Sequence, residues 1–225
     1  VVAAAHPYTA LHIVYTELLE SKCLQTLEER HLITWLRDAE NPRLLILNQA
    51  RCAPDTSAPF MQAVQNGVVL LQPENEEDNW KILSIGPTAI KSTFGLSLQE
   101  RSEWNQSLQL PEAKQSHWLE EHVDGTLVNL YFDGSAWQLA TRVEPKSPTM
   151  ALSWVPINNV DTEISVNDSF WQIWKRKGFA IPSTEVSSGE TSVVFSFVMN
   201  SEVHRYVVYY EHEGLYLVQA RSMVT

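Results

Sequence analysis

Several groups of side chains in this sequence are of types that could do chemistry. His122 stands two residues before Asp124-Gly125 in the segment EEHVDGTL, residues 120–127. Neutral imidazole is abundant at pH 7 without any tuning, so a histidine here could attack phosphorus and form a phosphoramidate. The carboxylates of Glu74–Asp78 (ENEED) could attract a cation. Calcium loops, however, space their ligands at alternate positions around a glycine bend, and this run has neither feature, so it reads as a solvated hairpin tip. Lys175-Arg176-Lys177 could meet RNA phosphates. The simpler account is electrostatic: the three cations fall at the negative end of an expected helix. His31 falls on an apolar helical face and reads as a core-edge imidazole with one hydrogen bond. Cys23 and Cys52, the only two cysteines, are too few for a disulfide framework or a four-thiolate zinc site.

These residues need elements to hold them. Tyr8–Lys22 and Leu24–Ala39 repeat apolar residues at 3- and 4-residue spacing, which predicts two helices, and Asn41-Pro42 ends the second. Arg43–Gln49, Gly67–Leu71 and Trp80–Ile85 predict strands, with a short helix over Ser57–Val64. Trp118–Glu121, Thr126–Phe132 and Ala136–Arg142 predict a strand series, with Asp133-Gly134 as a hairpin turn. Asp168–Lys177 predicts a helix capped by Asp168 or Ser169 and stopped by Gly178. Ser192–Met199 with His204–Glu211 predicts a second hairpin, and Leu215–Arg221 a last strand. The fold class expected is α+β with largely antiparallel sheets, helices gathered at the N-terminus.

Composition limits the function classes. Of 225 residues, 44% are hydrophobic and 19% charged, which excludes global disorder. No apolar run is long enough to span a bilayer, and Val1–Ala5 is too short, and lacks the basic flank, to be a signal peptide. An intracellular, cytoplasmic setting with no membrane association is expected. The net charge of −11 repels nucleic acid, so RNA contact is expected to be weak or indirect. Eight tryptophans, Trp80, Trp137, Trp171 and Trp174 among them, exceed the needs of such a core and suggest a protein-binding surface.

The segment EEHVDGTL, followed by NLYFDGSAWQLATR, resembles the nucleotide-binding signature of phage-type ATP-dependent RNA ligases of the tRNA-repair kind. In that family a Lys-x-Asp-Gly element begins a hairpin whose second strand ends in a basic residue, and the Lys becomes adenylated. Upstream, QNGVVLL and NWKILSIGPTAIKSTFG are similar to the family's Arg-Gly strand and Lys-Phe-Phe-Asn element. Downstream, VVFSFVMNSEVHRYVVYY and GLYLVQAR are similar to its Phe-Glu-Phe strand, its Asn-Arg-Ile-Val strand and the closing strand ending in Arg. The resemblance implies a nucleotidyltransferase-like domain over residues 43–225, with residues 1–42 as an N-terminal helical extension. It implies ATP and magnesium as cofactors, with Lys91, Asp124, Gly125 and Arg142 as nucleotide contacts.

The departures from the family shape the functional expectation. His122 holds the nucleophile's place, Asn66 the place of the Arg before Gly67, Ser196 that of the Phe-Glu-Phe carboxylate, and Val143 that of a Gly. The family's Glu-Gly and Lys-x-Lys strands have no counterpart in the 225 residues. Phosphoryl transfer depends on positioning and charge neutralisation, and the groups lost are mostly charged. The expectation is a pseudoenzyme: a nucleotide- or RNA-related binding or protein-interaction module, with a protein partner. The alternative is an active nucleotidyltransferase, RNA ligase or capping-type, with His122 as nucleophile. An imidazole nitrogen reaches ~4.5 Å from its Cα against ~6 Å for a lysine amine, so that alternative needs a repositioned nucleotide.

Overall fold

A strand whose consecutive residues are all apolar has no face to give to water, so it must lie between two layers. LLILNQ is nearly such a run, and in the computed structural model Leu44–Gln49 forms a strand buried at all six positions. The structure describes residues 7–21, 23–31, 33–50, 59–75, 79–87, 99, 102, 123–146, 165–184, 191–201 and 212–224. Those residues form an α+β fold with two antiparallel four-stranded sheets. The first sheet has the order β1 (Ile33–Arg37), β2 (Leu44–Gln49), β3 (Val68–Leu71), β4 (Lys81–Ile85). The second has β5 (Thr126–Phe132) and β6 (Trp137–Ala140) beside β7 (Thr191–Asn200) and β8 (Gly214–Val224), in the order β6-β5-β7-β8.

Helices α1 (Pro7–Ser21), α2 (Leu24–Arg30) and α3 (Pro59–Val64) pack into the core of the first sheet through residues such as Val14, Leu18, Leu27 and Phe60. The same core takes in Tyr131, Ala140, Val194 and Met223 from the second sheet. Alternation sends the neighbouring Val128, Leu130, Phe197 and Met199 to the opposite face, where helix α4 (Val166–Arg176) buries Val166, Phe170, Ile173 and Trp174 against them. Tyr131 shows how a polar tip is tolerated inside: its hydroxyl donates to the Pro145 carbonyl at 2.7 Å, and burial pushes its pKa well up.

The structure corrects three expectations. The helix expected over Leu24–Ala39 ends at Arg30, and residues 33–37 form β1. Ile33, Thr34 and Trp35 are β-branched or aromatic, and pairing of all five β1 residues with β2 outweighs their helical spacing. The pairing crosses the expected boundary between residues 42 and 43, and one core joins both sides of it. The expected hairpin of Ser192–Met199 with His204–Glu211 is replaced by a ladder between β7 and β8, with β5 on the other edge of β7. Residues 204–211 lie outside the described residues, as does the strand expected over Trp118–Glu121. Third, α4 begins before Asp168. Ser165 is its N-cap, accepting from the Asp168 amide at 3.0 Å while its hydroxyl donates to Asp168 Oδ2 at 2.8 Å. Gly178, at φ 71°, ends the helix as expected. Ser165→Ala should lower stability by about 1 kcal/mol in urea unfolding, and an unchanged midpoint would refute the cap.

His31 has one imidazole hydrogen bond, to Glu17 Oε2 at 2.9 Å, and lies against the Phe60 ring. The Asp133-Gly134 turn is held by Asp133 Oδ1, which accepts from the Ser135 and Ala136 amides at 2.8 and 2.9 Å. Burial pushes the Asp133 carboxyl up, but these amides, the Ser135 hydroxyl and the Gln138 side chain outweigh it and hold the pKa below its ordinary value.

Candidate functional site

The strands that carry the expected site meet along β5 and β7. Their register sets Thr126 opposite Met199 and Asn129 opposite Ser196. Just before β5, Gly125 lies so near β7 that a Cβ there would come 2.9 Å from Val198 Cγ1 and closer still to the Met199 carbonyl oxygen. Only a glycine fits that approach. Farther along, the buried Ser196 hydroxyl donates to Asn129 Oδ1 at 2.7 Å. The pair is neutral, so no charge is present at residue 196 to hold a ribose or a metal.

A second set of residues meets where the sheets join. The Gly86 amide donates to the Gly67 carbonyl at 3.0 Å, and Asn66 Nδ2 donates to the Pro87 carbonyl at 2.8 Å. Gly67 has φ 85°, and a Cβ on it would sit 3.0 Å from the Arg142 carbonyl oxygen, so this corner touches the chain just past β6. Arg221 enters from β8. Its guanidinium donates to Gln219 Oε1 at 3.0 Å and, at 3.5 Å, to the Gly86 carbonyl. Arg221 is only 6% exposed, its Nε has no hydrogen-bond partner among the described residues, and burial pulls its pKa down.

Among the expected nucleotide contacts, Asp124 and Gly125 are half-buried at the head of β5, and Arg142 is exposed just past β6. β5 and β6 are antiparallel, so all three fall at one end of that hairpin. Lys91 and His122 lie outside the described residues. Asn66 spends its amide on the Pro87 carbonyl, and Gly67 is held by packing.

No family model and no curated protein matches this sequence. Among the described residues no group of three His, Cys, Asp or Glu side chains could hold a metal ion. Glu74, from the acidic run, pairs with Arg43 at 2.5 Å, and residues 76–78 lie outside the described residues. Arg176, from the basic triplet, pairs with Glu213 at 2.6 Å. Trp174 is buried, while Trp80, Trp137 and Trp171 pack half-buried against the cores. Trp35, on the edge strand β1, is exposed and lies under the Arg37 guanidinium. The described tryptophans therefore form no exposed cluster. No helix among the described residues is long and apolar enough to cross a membrane.

Arg221, Gln219 and Asn129 were not among the expected site residues. One signal for Arg221 was present: it is the only charge in the strand Gly214–Val224, which otherwise reads as a partner for a core.

Proposed function

We propose that this chain is a degenerate relative of ATP-dependent RNA ligases, its nucleotidyltransferase-like scaffold kept for binding a nucleotide or a protein partner rather than for adenylate transfer. The observation that carries this reading is the buried Ser196–Asn129 hydrogen bond. Ser196 and Asn129 form a buried neutral pair, and residue 196 is where the resembling family carries a carboxylate. Asn66 supports it, because its amide is committed to the Pro87 carbonyl where a phosphate-neutralising Arg would stand. Catalysis of phosphoryl transfer rests on fixed charges aimed at the phosphates, and loss of one typically costs a few kcal/mol of transition-state stabilisation. The retained glycines are accounted for by close approaches of backbone.

The test is adenylate transfer to the protein itself. The chain is incubated with ATP and magnesium, quenched, and read by mass spectrometry, alongside His122→Lys and His122→Ala. No adduct is expected on the wild type. None is expected on His122→Lys, because a restored amine still lacks the Arg at residue 66 and the carboxylate at residue 196. An adduct on the wild type that disappears in His122→Ala would establish the histidine enzyme instead. A rapid adduct on His122→Lys would show a site intact apart from its nucleophile. Calorimetry with ATP and magnesium then examines binding: saturable heat is expected if the nucleotide is the ligand, and its absence at millimolar ATP leaves the protein partner.

A further inference from the structure

A buried guanidinium is costly unless an anion or a full set of acceptors surrounds it. Arg221 falls short of both conditions. Arginine keeps its proton in proteins, so the group is a fixed positive charge. Among the described residues no carboxylate is paired with it. Its partners are one neutral amide oxygen, from Gln219, and one carbonyl at the limit of hydrogen-bonding distance, from Gly86. The Nε–H, which would complete the two-pronged face that guanidinium offers to a carboxylate or phosphate, is buried and has no partner among the described residues.

The neighbourhood supplies a second unpartnered donor. In the β7–β8 register Arg221 pairs with Val194 and Met223 with Ser192, so Ser192 and Arg221 are diagonal neighbours on one face of the sheet. The Ser192 hydroxyl is also buried, without a hydrogen-bond partner among the described residues. Around this corner Asn66 and Pro87, beside Gly86, are half-exposed and Arg142 is exposed. We infer that Arg221, with Ser192 on the same face of the sheet, binds a small oxyanion, a phosphate group being the best match, at the junction of the two sheets. The charge count favours such a site only locally: the chain carries −11 overall, so a fixed cation with no carboxylate beside it among the described residues is the place where an anion gains most. The inference does not require adenylate transfer, although the corner borders Asn66 and Arg142, and Arg221 closes the strand GLYLVQAR of the ligase-like resemblance; an adduct experiment and the phosphate-dependent melting below therefore fail independently.

Gln219→Glu gives a decisive variant. It is isosteric, and it converts the amide oxygen already 3.0 Å from the guanidinium into a carboxylate, a counter-ion built into the chain. Thermal unfolding is followed for the wild type, Gln219→Glu and Arg221→Gln, each in inorganic phosphate, in AMP, and in sodium chloride of equal ionic strength. For the wild type, about 10 mM phosphate should raise the midpoint by roughly 3 °C over chloride, as binding to the folded state alone requires. Gln219→Glu should melt higher than the wild type in chloride and should lose the phosphate response. Arg221→Gln, if folded, should lose it too. If that variant does not fold, the Gln219→Glu comparison decides alone. A wild-type shift with AMP but not with free phosphate would keep the oxyanion site and assign its phosphate to a nucleotide. No shift with either ligand would overturn the inference. So would an equal shift in the wild type and Gln219→Glu, because phosphate would then be acting as a general excluded salt.

Discussion

Replacing Phe170 with alanine should remove about 3–5 kcal/mol of stability. Phe170 is fully buried and central to the smaller core, with ring centroids 5.2 Å from Trp171, 5.5 Å from Trp174 and 5.6 Å from Phe197. Three aromatic neighbours of this size cannot collapse into the space a phenyl ring leaves. The loss therefore includes the cavity as well as the transfer of the ring from water. Domains of this kind are stable by about 5–15 kcal/mol in total, so the variant should sit near the edge of folding. In thermal unfolding the expected fall is on the order of 10 °C, since 1 kcal/mol moves the midpoint by about 2–4 °C at this chain length. Phe179 is the control. It also touches Trp174, with centroids 5.3 Å apart, but is 46% exposed, so Phe179→Ala should cost about 1 kcal/mol or less. Equal losses at the two positions would mean that α4 does not cover the second sheet as described.

The two cores differ in how openly the sequence announces them. Phe170, Ile173 and Trp174 lie at helical spacing, and Val128, Leu130, Phe197 and Met199 alternate along strands, so each element could be read from its own period. β1 could not. Its burial is one residue in, three out, and its identity as a strand comes from pairing with β2, a non-local contact that no periodicity reports. The partner of β7 was hidden for the same reason. β8 lies beyond an intervening segment, yet pairs with β7 from Thr191 to Asn200. The candidate site was legible where backbone demands glycine, at Gly67 and Gly125, because such positions restrict residue type. It was illegible at Arg221 and Ser192, whose neighbourhood is fixed only by the register of two strands distant in sequence.

Gly125→Ala should lower stability by about 2–4 kcal/mol, the opposite of what an added methyl does at an unconstrained glycine. At such a site alanine restricts the unfolded chain and stabilises by about 0.4–1 kcal/mol. At Gly125 the methyl meets the Met199 carbonyl, which is backbone, and the Val198 side chain. β7 cannot yield easily, because it is hydrogen-bonded to β5 on one edge and to β8 on the other. The strain must then be relieved by parting β5 from β7, at the cost of ladder hydrogen bonds as well as packing. Gly134 provides the comparison. It has φ 102° but nothing within 4 Å of an added Cβ, so Gly134→Ala should cost only the left-handed backbone penalty of about 1–2 kcal/mol. Urea unfolding of both variants separates the two causes. The outcome also bears on function, because Asp124-Gly125 is the feature most like a nucleotide-binding signature. A large loss in the ligand-free protein means that sheet geometry alone is sufficient to require this glycine. An alanine at residue 125 that left stability unchanged would remove that explanation and return the glycine to the binding site.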